Sequence, residues 1–222
     1  MSFRAGANQE VVANKTAFLA QFGIAYQEHI AMSCDHGEII TLVDETYEGV
    51  GATNPQQVLR SEVLVTQKKN LALFLLTADC QPMSFYDPAT QTIALAHISR
   101  KTIVQKLIQK TVDFLHTELR VEPSNLLIHI GPHIKKESYT FPLPLSEDTP
   151  ELKEFITEKN GNAYVDLLEA SLAQLTLAGI NPNNIDVSPV DTGTSQEYFS
   201  YYKMKQNGEP DAARMATILM MR

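Results

Sequence analysis

Apolar residues recur along the chain with two different periods, and each change of period marks a new element. Val11, Val12, Phe18, Leu19 and Phe22 fall at near-helical spacing ahead of Gly23, which predicts an opening surface helix over about residues 9–22. Ile39–Val43 and Val63–Thr66 are short and rich in β-branched residues, so both are expected as strands. Leu71–Leu76 is apolar without a break, the pattern of a strand covered on both faces. Asp87-Pro88 marks a turn, and Thr92–His97 is a second buried strand. Ile103, Val104, Leu107, Ile108, Val112 and Leu115 then trace an amphipathic helix, and Asn125–Ile130 returns as a strand. Strand, helix and strand make a β-α-β unit, for which a right-handed crossover and parallel strands are expected. A further helix is expected over about residues 163–178, with Val165, Leu168, Leu172 and Leu175 as its stripe and Gly179 as its stop. Ile185–Val187 and Ala216–Met221 read as late strands. The fold class is mixed α/β, a layered sandwich of mixed β-sheets flanked by helices.

The proline-bearing stretch 137–150, with Pro142, Pro144 and Pro150 beside Ser146, Glu147 and Asp148, reads as a long surface loop. Apolar segments flank it on both sides as parts of one core, so residues 1–222 are expected to form a single domain.

Charge narrows the partners. The chain carries 18 basic against 26 acidic residues, a net charge of −8, which a polyphosphate backbone repels; nucleic acid is not an expected partner. No apolar run approaches the ~20 residues that cross a bilayer, and the first residues lack the apolar core of a signal peptide, so no membrane partner and residence in the cytoplasm are expected. In a reducing compartment Cys34 and Cys80 are expected as thiols or metal ligands and not as a disulfide. Nothing in the chain sets an oligomeric state.

Three residues carry candidate chemistry. Cys80, in Thr77-Ala78-Asp79-Cys80, follows a buried strand directly, where sheets open to ligands. His97 closes an otherwise apolar strand, and a polar ring there needs a hydrogen-bond partner or a metal. His36 precedes a strand, with Gly37 permitting a tight turn. Singly, each has an ordinary structural reading. Two imidazoles and one thiolate together form a donor set suited to zinc with one position open, although their spacing matches no short zinc motif. Ser99–Thr102 opens a helix, where unpaired amides favour an anion, with Arg100 and Lys101 alongside. Those cations also read as a solvated face.

Two further signals are set aside. Val190-Asp191-Thr192-Gly193 resembles an aspartic-protease turn but occurs once, and reads as an Asp-initiated turn. His129 and His133 have zincin spacing, but Gly131-Pro132 between them prevents a shared helical face.

In order along the chain, these motifs resemble the YfiH-like, or multicopper polyphenol oxidoreductase (laccase-like), family. Its Q-V-H-G segment is similar to His36-Gly37, its T-A-D-C matches Thr77–Cys80, and its A-H-A-G-W-R-G begins like Ala96-His97. Its I-G-P-C-I is similar to Ile130–Ile134, and its F-F-S-Y-R and later G-R-M-A resemble Tyr198–Tyr202 and Ala213–Ala216. The resemblance implies a YfiH-like fold and a zinc-dependent purine nucleoside phosphorylase, with adenosine deaminase activity alongside. It implies zinc on His36, Cys80 and His97, a purine nucleoside and phosphate as substrates, and Arg100 and Lys101 near the phosphate. The chain departs from the pattern at Ile98-Ser99-Arg100-Lys101-Thr102, where the family has A-G-W-R-G, so the tryptophan is absent and Lys101 replaces an arginine fork with a point charge. Ala5–Asn8 aligns with an internal family segment, so a first strand and a glycine-rich loop are expected to be missing. Six histidines do not supply a laccase copper array. Two alternatives stay open: a metal-free hydrolase with Cys80 as nucleophile, His97 as base and Asp79 as orienting group, and a zinc-holding module that binds nucleosides without turnover.

Overall fold

The computed structural model describes residues 8–51, 58–145, 150–209 and 213–222. Ala5, Gly6 and Ala7 of the expected late start, and Ser146, Glu147 and Asp148 of the expected loop, lie outside the described residues. In chain order the elements are α1 (Asn8–Ala20), β1 (His29–Ser33), β2 (Ile40–Leu42), β3 (Leu59–Arg60), β4 (Val63–Thr66), β5 (Ala72–Thr77), β6 (Gln81–Asp87) and β7 (Thr92–Ile98). They continue with α2 (Arg100–Val104), α3 (Leu107–Leu119), β8 (Leu127–Ile130), β9 (Thr140–Pro142), β10 (Ile156–Lys159), β11 (Asn162–Val165), α4 (Leu167–Leu177), β12 (Ile185–Val187), α5 (Tyr201–Gln206) and β13 (Met215–Leu219).

Two sheets carry the architecture. A six-stranded sheet runs β12-β8-β6-β7-β4-β2, a four-stranded sheet runs β13-β5-β1-β3, and a small third sheet runs β10-β11-β9. The period-2 geometry of β7 explains how it serves two layers. Ile93 and Leu95 face the four-stranded sheet and join Ile30, Leu73 and Leu75, whereas Ala94, Ala96 and Ile98 face Ile103, Leu107, Ile108, Leu167 and Leu175 of the helical layer. β5 does the same in the other sheet, with Leu73 and Leu75 inward and Phe74 outward against Leu19 of α1 and Ile24 beyond it. The result is a mixed α/β sandwich of four layers: α1, sheet, sheet, and α2–α4.

The pattern-based expectations for β2, β4, β5, β7, β8 and β12 hold to within a residue or two, while several elements differ. β7 and β8 point the same way, but β6 lies between them, antiparallel to both. β6 contains Pro82 in a central strand, tolerated because it is the second residue, beside the strand's start. Its ring sits so close to Gly131 that a Cβ there would come within 2.8 Å of Pro82 Cγ, which explains the glycine. The expected helix from residue 163 begins at Leu167, because Val165 belongs to the β10–β11 hairpin and Asp166 caps α4 by accepting from the Glu169 amide. The helix expected from residue 103 is broken at Lys106, whose left-handed φ of 59° separates α2 from α3. Within the expected loop 137–150, residues 140–142 form β9, an edge strand that accommodates Pro142. β1, β3, β6, β10 and α5 were not anticipated.

Beneath α1, His29 is fully buried between Tyr26 and Phe74 and its Nδ1 donates to the Tyr26 carbonyl at 2.6 Å. Burial, reinforced by nearby Lys15 and opposed by that bond, lowers its pKa from 6.5 to about 4. The fold keeps this ring neutral. The unfolded chain takes up the proton first, so the stability present above pH 6.5 is lost as pH falls towards 4. We expect urea midpoints to show up to about 3 kcal/mol of this loss in the native chain and not in His29→Gln, read as the difference between their pH profiles.

Candidate metal centre

One end of the sandwich gathers the chemistry. β1 and β5 are parallel, so Cys34 after β1 and Ala78–Cys80 after β5 emerge side by side. β13 enters antiparallel to β5, which brings Arg214 to the same end. From the facing sheet, β7 runs out here with His97, and β4 begins here just after Glu62, whose carbonyl accepts from the His97 amide at 2.8 Å. Met32, Cys34, His36, Thr77, Cys80, His97, Tyr201 and Arg214 are among the residues lining a cavity of ≈ 320 Å³ between the two sheets.

The structure brings His36, Cys80 and His97 together: one ligand atom from each lies within 4.8 Å of the other two. His97 is 5% exposed, Cys80 half-buried and His36 open to solvent. The His97 Nδ1–H donates to the Glu62 carboxylate at 2.7 Å, and His36 Nδ1 meets the Ser99 hydroxyl at 3.0 Å. Both rings are thereby fixed, each with Nε2 left to face other partners. A carboxylate behind a histidine is the arrangement that orients and strengthens a metal-binding imidazole. The residues fit a soft-to-borderline divalent ion: two imidazoles and a thiolate converge, and second partners already orient the rings.

Local backbone geometry aims the donors. His36 itself has a left-handed φ of 63°, so the turn strain expected to fall on Gly37 falls on the histidine. Asp79, just before Cys80, has φ 85°, a conformation that costs a non-glycine residue energy and needs outside support. That support is visible: Asp79 accepts from Thr192 Oγ1 at 2.6 Å and from the Tyr202 amide at 2.7 Å, and its own carbonyl accepts from the Ile134 amide at 3.0 Å. Asp79 therefore straps Cys80 to three distant segments. It is not the carboxylate on the histidine; that group is Glu62.

Electrostatics follow from the packing. Burial alone lowers the pKa of His97, but the Cys80 thiol, contacts with Cys34 and Cys80, and the Glu62 carboxylate together hold it well above 6.5. His36 is lowered, by burial first and then by His97. Burial pushes the Cys34 thiol up despite its contact with His97.

The other expected residues are placed as follows. Arg100 lies over the Phe141 ring at 5.7 Å, Lys101 stands near enough to His36 to act on its charge, and neither is among the cavity-lining residues. Ser99 caps α2, its hydroxyl accepting from the Thr102 amide. Asp191 forms the expected turn, accepting from the Gly193 amide and the Ser138 hydroxyl. His129 is exposed and paired with Asp186, while His133 is buried and donates to the Gly131 carbonyl, so neither joins the cluster. Sequence reasoning missed Glu62, Arg214 and Tyr201 as site residues. Glu62 belongs to no motif, and its only signal is an acidic side chain beside a strand too apolar to leave it solvated.

Layered sheets with a His–Cys–His cluster at one strand edge define an α/β sandwich with a soft-donor centre. The family model described as multi-copper polyphenol oxidoreductase laccase matches residues 1–222, and the chain belongs to that family. A Streptomyces coelicolor protein named purine nucleoside phosphorylase SCO2081 is 26% identical over 200 residues, 89% of this chain and 79% of its own length. Bacillus subtilis YlmD, also named purine nucleoside phosphorylase, is 27% identical over 89% of this chain and 73% of its own. Among solved structures, YlmD from Geobacillus stearothermophilus superposes with TM-score 0.88 at 24% identity, covering 100% of this chain and 84% of that one. Bacillus licheniformis YfiH does so with TM-score 0.87 at 24% identity, covering 97% and 82%. Both likenesses show the fold.

Glu62→Gln keeps the side chain's shape but removes the charge behind His97. We expect metal affinity to fall about 10- to 100-fold with the fold intact, measured by competition against a chromophoric chelator.

Proposed function

We propose that residues 1–222 work as one cytoplasmic, zinc-dependent enzyme that cleaves purine nucleosides with phosphate, His36, Cys80 and His97 holding the metal. The observation that supports this most is the convergence of those three donors, from separate segments, on a cavity whose volume suits a small ligand. Two relatives named purine nucleoside phosphorylase supply the substrate class. Zinc held by these residues would supply Lewis acidity beside the bound substrate. Glu62 fixes His97, and Asp79 fixes Cys80. Tyr201 and Arg214, the guanidinium 5.6 Å over the ring, place an aromatic side chain and a cation on the cavity wall. Arg100 and Lys101 remain the proposed phosphate contacts from the α2 side. In the reaction the glycosidic C–N bond breaks, a C–O bond to phosphate forms, and the base leaves with a proton.

The test incubates purified protein with inosine or adenosine, with and without phosphate and chelator, beside elemental analysis. We expect one zinc per chain and phosphate-dependent release of free base that chelation abolishes and zinc restores. Conversion of adenosine to inosine would add deamination to the reading. Stoichiometric copper, or nucleoside binding without any product, would overturn it. Lys101→Ala is expected to raise KM for phosphate several-fold and leave KM for the nucleoside nearly unchanged.

One contact favours a second reading. His97 has the Cys80 sulfur within 4.8 Å and carries Glu62 on Nδ1, the nucleophile–base–orienter order of a cysteine hydrolase. Labelling of Cys80 by an electrophilic probe in metal-stripped, hydrolytically active protein would select it; stoichiometric metal would remove it.

A further inference from the structure

The second cysteine has no part in the reading above, yet it stands at the same centre. Cys34 Sγ, a His97 ring nitrogen and a Glu62 carboxylate oxygen all lie within 4.8 Å of one another, a donor set that overlaps the first at His97. Cys34 lines the cavity beside His36 and Cys80. It is partly buried, and its sulfur, like that of Cys80, lies within 4.8 Å of a His97 ring nitrogen. Thr77 lies on the cavity wall and the half of Glu62 not facing His97 accepts from the Asp35 and Gly37 amides at 2.7 and 3.2 Å. Those amides belong to the turn that carries both Cys34 and His36, so Glu62 ties that turn to His97. Its carboxylate is already occupied on both oxygens. In the second donor set His97 already belongs to the first and both Glu62 oxygens are taken, which leaves Cys34 as the added donor.

We propose that Cys34 is a second sulfur donor to the metal held by His36, Cys80 and His97, giving the centre two thiolates and two imidazoles when no substrate is bound. This rests on the proposal that the trio binds a metal. Binding replaces the Cys34 S–H bond by a sulfur–metal bond and releases the proton to solvent, as coordination deprotonates a thiol outright. A fourth protein donor makes the resting centre closed, in the manner of structural Cys2His2 sites, and a ligand that needs the fourth position must displace Cys34. Two thiolates also bias the site towards soft ions. Cys34 packs against the core between the sheets but follows the last residue of β1 and takes part in no strand pairing, so its sulfur can leave the metal without breaking a ladder.

The test uses Co²⁺ as a spectroscopic probe on the whole chain, with native protein, Cys34→Ala and Cys80→Ala. We expect the native complex to show a sulfur-to-cobalt charge-transfer band that falls by about half in Cys34→Ala, as expected when one of two thiolates is lost. A thiol titration of the unmutated protein supports this without any variant: zinc is expected to shield both cysteines from a disulfide reagent. An equal band in native and Cys34→Ala protein, with only one cysteine shielded, overturns the role of Cys34 and leaves the trio standing. Absence of cobalt or zinc binding by native protein overturns the trio, and this proposal with it.

Discussion

The hydrogen bond between the buried Glu62 carboxylate and His97 Nδ1 is the contact on which the rest of the centre depends. Both groups lie where β4 and β7 meet, and both are nearly inaccessible to water. A carboxylate or an imidazolium alone there would be costly, since a buried charge without a partner loses its hydration and gains nothing. Paired, they satisfy each other. The remaining Glu62 oxygen takes two backbone amides from the turn at Asp35 and Gly37, so one side chain links the six-stranded sheet to the turn that carries His36. Glu62 thus places the backbone of His36 relative to His97, and the Ser99 hydroxyl orients its ring.

The second constraint is backbone strain. His36 and Asp79 both occupy left-handed conformations that glycine would adopt more readily, and each is next to, or is, a donor residue. Such conformations cost of order 1–3 kcal/mol each and persist only where surrounding contacts over-determine them. At Asp79 those contacts reach Thr192, Tyr202 and Ile134, which come from loops and a helix remote in sequence. The late motifs of the chain thus act on Cys80 through Asp79, although none of their side chains is a donor in the cluster.

How much of this was legible in the sequence depended on how local each cause is. β5 and β7 were readable because their unbroken apolar runs have one physical meaning, cover on both faces. β6 was not, because Pro82, Ser84 and Asp87 interrupt its apolar pattern and leave no clear period. The helix at 163 was placed too early because Val165 fits a helical stripe as well as a strand. His36, Cys80 and His97 were found through motif order, not spacing, which by itself matched nothing. Glu62 stayed hidden since its role exists only after β4 and β7 pair, and its sequence neighbours carry no trace of that pairing.

The distribution of donors over both sheets has a thermodynamic consequence for the fold. Cys80 hangs from β5 of one sheet and His97 from β7 of the other, while His36 sits on a turn between β1 and β2, which belong to different sheets. An ion bound by all three would cross-link the layers at the end where the sandwich is open to solvent. In the unfolded chain the same donors are far apart and bind weakly, so the binding free energy adds to folding stability in the measure that the fold pre-assembles the site. Glu62 and Asp79 perform that assembly from inside the protein, using carboxylates that never need to touch the ion. Pre-organisation and metal affinity are for this reason two aspects of one packing arrangement, and a change at either carboxylate acts on both.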